Sequence, residues 1–221
     1  MRISKLLNAT LVLACLGLAT PRTASADSQG AQSFVEKEHG RLKKLVDADA
    51  PVGDINSALN GMIDWEEFTK LTLGNPCPKD VVTKCVNHWD ELTPAQRTEV
   101  QGLLQKLVEK RWRKRLKETK NYKVNYQWSK EQSDASLAKV RTEAKDESKP
   151  KERPVTIDYL VRDKSGNYKV VDILLEHSSQ AKGYYTQFHD FLSAKDKGYP
   201  FLVQKLNDRI KDREKEESSK K

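Results

Sequence analysis

The hydrophobic period of this chain switches from helical spacing, up to about residue 118, to alternation over the strands from Tyr122 to Glu176. That switch limits the fold more than any other feature, because a helix-period segment buries one stripe and an alternating segment one sheet face. Residues 27–31 read as a loose tail. Residues 33–47 carry Phe34, Val35, Leu42, Leu45 and Val46 at helical spacing. Past the Pro51-Val52-Gly53 turn, Ile55, Ala58, Leu59, Met62 and Ile63 define a second helix, with Asp54 as its expected N-cap. Residues 64–72 add Trp65, Phe68 and Leu71 and end at Gly74. The best helix start lies at Thr93-Pro94-Ala95-Gln96, with Thr93 as N-cap, Pro94 first in the helix and Gln96 closing a capping box. This helix puts Val100, Leu103, Leu104, Leu107, Val108, Trp112 and Leu116 on one face. Lys110, Arg111, Arg113, Lys114, Arg115 and Lys117 gather near its far end, where cations suit the helix dipole. They read first as a solvated face and second as a docking patch.

After the switch, Tyr122, Val124 and Tyr126 alternate with Lys123 and Asn125, and residues 137–142 form a second short strand. Residues 143–153 are polar and charged, as in a loop. Residues 154–162 and 167–176 are two strands joined by the turn Asp163-Lys164-Ser165-Gly166. A helix over 179–194 follows, with Tyr184, Phe188, Phe191 and Leu192 on one face. A last helix over 201–210 bears Leu202, Leu206 and Ile210, and residues 211–221 are a charged tail expected to be disordered. Helices, then an antiparallel sheet of about four strands, then helices, is the order of an α+β domain.

The first 26 residues have the layout of a secretory signal: Arg2 and Lys5, an apolar stretch over 6–19, and Ala24-Ser25-Ala26 as a cleavage site. The apolar stretch is short for a membrane span, which needs about 20 residues. Cys15, in Val12-Leu13-Ala14-Cys15, is similar to a lipoprotein cleavage site, but cutting there would shorten the apolar stretch. Cleavage after Ala26 removes Arg2, Lys5 and Arg22 and no acid, lowering the net charge from +8 to +5. An exported basic chain rarely meets nucleic acid, and none of its motifs is present; anionic headgroups or an acidic partner are the better match. The remaining 195 residues suit one domain, expected over 27–210. Cys77 and Cys85, eight positions apart in an oxidising compartment, are expected to form a structural disulfide, a pair of buried thiols being the alternative.

The segment from Asp172 to Phe188 reads D-I-L-L-E-H-S-S-Q-A-K-G-Y-Y-T-Q-F: a strand leaving a hairpin, then a helix opening behind two serines. It resembles the signature of the MlaC family of periplasmic phospholipid carriers, roughly D-V-x-V-E-G-V-S-L-V-x-N-Y-R-x-Q-F. Asp172, Glu176, Ser179, Tyr184, Gln187 and Phe188 fall at matching places, with aliphatics at Ile173 and Leu175. The likeness spans about 55–210. The chain departs from the pattern where His177 replaces a glycine, Gln180 an apolar residue and Tyr185 an arginine. The family's Leu-Gly is matched by Leu73-Gly74, but the tryptophan that follows it is delayed to Trp89 by an inserted segment around 75–88 holding both cysteines.

The resemblance implies a curved sheet of the nuclear-transport-factor type with a helical subdomain, and a dry pocket for acyl chains. It also implies shuttling between an outer-membrane lipoprotein/porin complex and an inner-membrane ABC transporter complex, with no catalysis, metal or cofactor. Exposing one chain of about 15 methylenes costs on the order of 12 kcal/mol, so a carrier must supply an apolar cavity. Ile157, Tyr159, Val170, Ile173, Leu175, Tyr184 and Phe188 are the expected lining, with Tyr126, Trp112 and Leu107 as further candidates. Periodicity alone fits a filled core equally well.

Other chemistries find little support. The four histidines, His39, His88, His177 and His189, have no zinc spacing, and there is no Gly-x-Ser-x-Gly or phosphate-cradling loop. Ser178, Ser179, Asp172, Glu176 and His177 suggest a hydrolase by proximity, yet nucleophile and base normally come from separate elements. Asp172 and the serines are expected to satisfy backbone groups at the strand end and helix start. The competing functions are a small-molecule enzyme of nuclear-transport-factor-like fold with an Asp base, and an envelope interaction module without ligand.

Overall fold

The computed structural model describes residues 27–78, 84–118 and 120–219. The expected signal peptide, with Cys15, lies outside the described residues. Among the described residues, seven helices and five strands follow one another as α1 (Ser28–Asp47), α2 (Val52–Met62), α3 (Trp65–Thr72), α4 (His88–Glu91), α5 (Pro94–Glu118), β1 (Tyr122–Glu131), β2 (Leu137–Asp146), β3 (Val155–Lys164), β4 (Asn167–Leu175), β5 (Ser178–Ser179), α6 (Gln180–Ser193) and α7 (Gly198–Ser218). The strands form one antiparallel sheet in chain order. This is the expected α+β architecture, with a two-residue strand added at the edge. The register shifts once opposite Gln127 and once opposite Val171, and such bulges bend the strands that carry them.

Several element ends differ from the sequence reading, each for a physical reason. Helix α1 begins at Ser28, not after residue 31, because Asp27 caps it through Gln29 N–H and Ala31 is fully buried. A Cβ at Gly30 would press on the Tyr168 hydroxyl, which would have to move aside. Helix α2 starts with Pro51 at the cap position, leaving Asp54 as a first-turn carboxylate near the positive end of the dipole. Strand β2 runs four residues past Thr142 because Ala144 continues the buried face of Ala138, Val140 and Thr142. The Thr93–Gln96 capping box forms as read, with Thr93 N–H 2.9 Å from Gln96 Oε1 and Gln96 N–H 3.3 Å from Thr93 Oγ1.

The charged tail is the largest difference. Helix α7 continues to Ser218, where a disordered segment was expected from Lys211. It is held by cations of α5: Lys110 lies 3.2 Å from Glu214 and Arg113 lies 3.0 Å from Glu217.

Helix α1 covers one sheet face. His39 stands edge-on to Tyr159, with ring centroids 4.9 Å apart, and its Nδ1 lies 2.9 Å from the Tyr126 hydroxyl. The opposite face carries a forked Arg141–Asp158 pair at 2.7 and 2.8 Å, with the guanidinium over Trp128. Helices α3, α5, α6 and α7 pack on one another beside the outer edge of β4.

The inserted segment is closed by a Cys77–Cys85 disulfide, as expected. Tyr185, one of the departures from the family pattern, is the residue that holds it. Its hydroxyl lies 3.0 Å from Val86 N and 3.3 Å from Val86 O, and its ring packs against Gly74, whose φ of +81° suits glycine.

Candidate functional site

The outer edge of β4 is paired at both ends and open between them. At one end Ile63 bridges to Val170, with Asp64 N–H donating to the Val170 carbonyl at 2.9 Å; at the other, β5 pairs with Leu174 and Leu175. Beside residues 170–173 lies an apolar seam walled by α3, α5 and α6. Ile63, Trp65, Phe68, Val108, Trp112 and Tyr184 face Val170, Val171 and Ile173 across it, with Arg111, Asp172 and Gln180 at its rim. The space left between these side chains is about 20 Å³. A cavity needs about 10–15 Å³ on this measure to hold one water, so the seam has room for a single water and not for an acyl chain.

Next to the seam lies a wider polar groove of about 460 Å³ between α5, the start of α6 and the end of α7. Arg111, Gln180 and Tyr184 border both spaces. Leu107, Gln187, Arg209, Asp212, Arg213 and Glu216 line the groove alone.

Asp172 anchors this corner. Its Oδ1 accepts from Ile173 N–H at 2.8 Å and Ala181 N–H at 3.0 Å, while Oδ2 accepts from the Ser179 hydroxyl at 2.5 Å. Ser179 in turn caps α6 by accepting from Lys182 N–H at 2.9 Å. Burial pushes the Asp172 carboxyl above its ordinary range, against the pull of these hydrogen bonds. His177 faces Arg141 and Asp158 instead of Ser179, so the residues adjacent in sequence do not assemble as nucleophile and base. The cluster is the backbone-satisfying device the sequence suggested. His177 itself sits at φ +65°, and Glu176 beside it at +46°. The position where the family pattern has glycine is therefore left-handed in this chain, with a histidine in it.

The expected lining residues divide into three groups. Trp112, Val170, Ile173 and Tyr184 meet around the seam, and Leu107 joins Tyr184 on the groove. Tyr126, Ile157, Tyr159 and Leu175 share the sheet face whose core lies under α1. Phe188 is fully buried, its ring tilted against Tyr184 with centroids 5.7 Å apart. Periodicity assigns Trp65, Phe68 and Val108 only to helix core, and Arg111 only to a run of cations. Nothing in periodicity separates a seam wall from any other buried face. Among the described residues no group of histidines, cysteines and acids could hold a metal ion, and no helix is long and apolar enough to cross a membrane.

Among curated proteins none matches the chain. Among solved structures, it is similar to a phospholipid-binding protein from Ralstonia solanacearum, a structure solved in complex with a phospholipid. The TM-score is 0.67 and the identity 20%, over 83% of this chain and 98% of that one. The model of the MlaC protein family matches residues 38–208, most of the described domain, and the chain belongs to the MlaC family.

Proposed function

We propose that this protein is a periplasmic phospholipid carrier, exported by a cleaved signal peptide and passing lipid between an outer-membrane lipoprotein/porin complex and an inner-membrane ABC transporter complex. The observation that carries the reading is the apolar seam at the open edge of β4, which shares Arg111, Gln180 and Tyr184 with a groove bearing three arginines. Family membership and the phospholipid held by the structural relative support the same reading. Trp112, Val170, Ile173 and Tyr184 are the lining candidates on the seam. Leu107, Tyr126, Ile157, Tyr159, Leu175 and Phe188 would join them only where an acyl chain reaches deeper.

Ligand pockets commonly measure about 300–1,000 Å³, so the seam must widen to take a chain. Its walls suit this. The α6 and α3 sides contribute the rings of Tyr184 and Phe68, with centroids 6.1 Å apart, which can turn or shift without breaking a β-ladder. The apolar gain from keeping a chain of about 15 methylenes out of water, on the order of 12 kcal/mol, is available to offset such rearrangement.

The test is purification of the exported protein from a heterologous host, followed by lipid extraction and mass spectrometry. Near-stoichiometric phospholipid is expected. Protein that is lipid-free both as purified and after incubation with phospholipid vesicles would overturn the reading.

A further inference from the structure

The family match ends at residue 208, yet α7 continues to Ser218, and this added stretch forms one wall of the groove at the mouth of the seam. Lys110 and Arg113, on one side of α5, hold the stretch through Glu214 and Glu217. Arg111 points to the other side, bordering both seam and groove. Arg213 is matched by Glu216 at 3.0 Å. Arg111 has no ion-pair partner among the described residues. Nor has Arg209, whose guanidinium lies over the Phe191 ring at 5.8 Å. The first amides of α6 are not open to an anion, because Ala181 donates to Asp172 and Lys182 to Ser179.

We infer that Arg111 and Arg209 form a phosphate site that takes the phosphodiester of a phospholipid whose acyl chains occupy the seam. The inference rests on the carrier reading and adds the chemistry of the headgroup end. A diester emerging from an apolar channel is a desolvated anion, and guanidinium offers it paired donors in a planar fork. Arg111 stands where the channel ends, and Arg209 reaches the same groove from the α7 extension. Asp212, exposed in that groove, can face an ammonium group. The two guanidiniums select for the phosphate that phospholipids of either headgroup share. A phosphate-free diacylglycerol with the same chains gives both guanidiniums nothing to bind.

The test loads the delipidated exported protein from mixed vesicles holding phosphatidylethanolamine, phosphatidylglycerol and diacylglycerol of identical chains, and counts each by mass spectrometry. The wild type is expected to take either phospholipid over diacylglycerol by about tenfold or more, the size of one charge-assisted contact. The double variant Arg111→Gln, Arg209→Gln is expected to lose most of that preference, its phospholipid uptake falling toward that of diacylglycerol, while still melting cooperatively. Should it misfold, Arg111→Lys alone keeps the charge and removes the fork, and a reduced preference is again expected. A variant that folds and keeps the wild-type preference overturns the phosphate site. So does a wild type that takes diacylglycerol equally well, although the carrier reading would then stand. A wild type that takes no lipid overturns both.

Discussion

His39 shows how a single titratable side chain ties α1 to the sheet. Its ring is set against Tyr126 and Tyr159, and burial lowers its pKa from 6.5 to about 4. The neutral ring accepts the Tyr126 hydroxyl proton at Nδ1, consistent with a phenol pushed up to about 12, chiefly by burial. The folded pKa is below the unfolded one, so the unfolded chain binds the extra proton first. Stability from this residue is complete above about pH 6.5 and is lost as pH falls toward 4. Its upper bound is about 3 kcal/mol. Urea titrations of the wild type and His39→Asn between pH 7.5 and 4.5 are expected to show a steeper acid loss in the wild type. Parallel curves would remove His39 from the pH response. The sequence showed the histidine but not its role, because a lone polar residue on a helix carries no sign of what the sheet places opposite. Asp172 and Ser179 were legible, since both partners of their hydrogen bonds lie within ten residues.

Local chemistry also decides which elements could be read. The Ser165-Gly166 turn, both residues at positive φ, and the Thr93 capping box were plain because each is specified by a few adjacent residues. The end of β2 and the last two turns of α7 were not. The first is buried through Thr142 and Ala144, which are too small to mark a hydrophobic alternation, and the second is held by ion pairs across 100 residues. The insertion around residues 75–88 combines both cases: its disulfide was visible in the cysteine spacing, its attachment to Tyr185 was not. Two local contributions are therefore expected. Reducing the bridge should cost roughly 2–3 kcal/mol for a loop this short. Tyr185→Phe, which strands Val86 N–H, should cost about 1 kcal/mol or more. Urea unfolding of the oxidised, reduced and Tyr185→Phe proteins measures these losses, and amide exchange at Val86 should quicken in the variant. Unchanged exchange would show that the bridge alone holds the insertion.

At the scale of the molecule, the expected lining set mixes residues from two places, and the reason is geometric. Alternation assigns a residue to a sheet face but does not say which helix covers that face. Strands β3 and β4 share a face that runs from the core beneath α1 to the seam beside α5 and α6, so Tyr159 and Ile173, cross-strand partners, border different neighbours. Charged substitutions separate the two environments. Tyr159→Asp would put a carboxylate under α1 among His39 and Tyr126, where a buried unpaired charge costs about 3–5 kcal/mol, and the domain is expected to lose cooperative melting. Trp112 is only half-buried and borders the seam close to the groove, so a carboxylate in its place can reach water. Trp112→Asp is expected to fold with a loss nearer 1–3 kcal/mol from the missing ring contacts, and to carry little or no phospholipid after purification. The decisive readings are the melting curve and the lipid-to-protein ratio of the same sample. If Trp112→Asp folds and keeps the wild-type ratio, the acyl chain does not lie in the seam, and the face beneath α1 becomes the place to look for it.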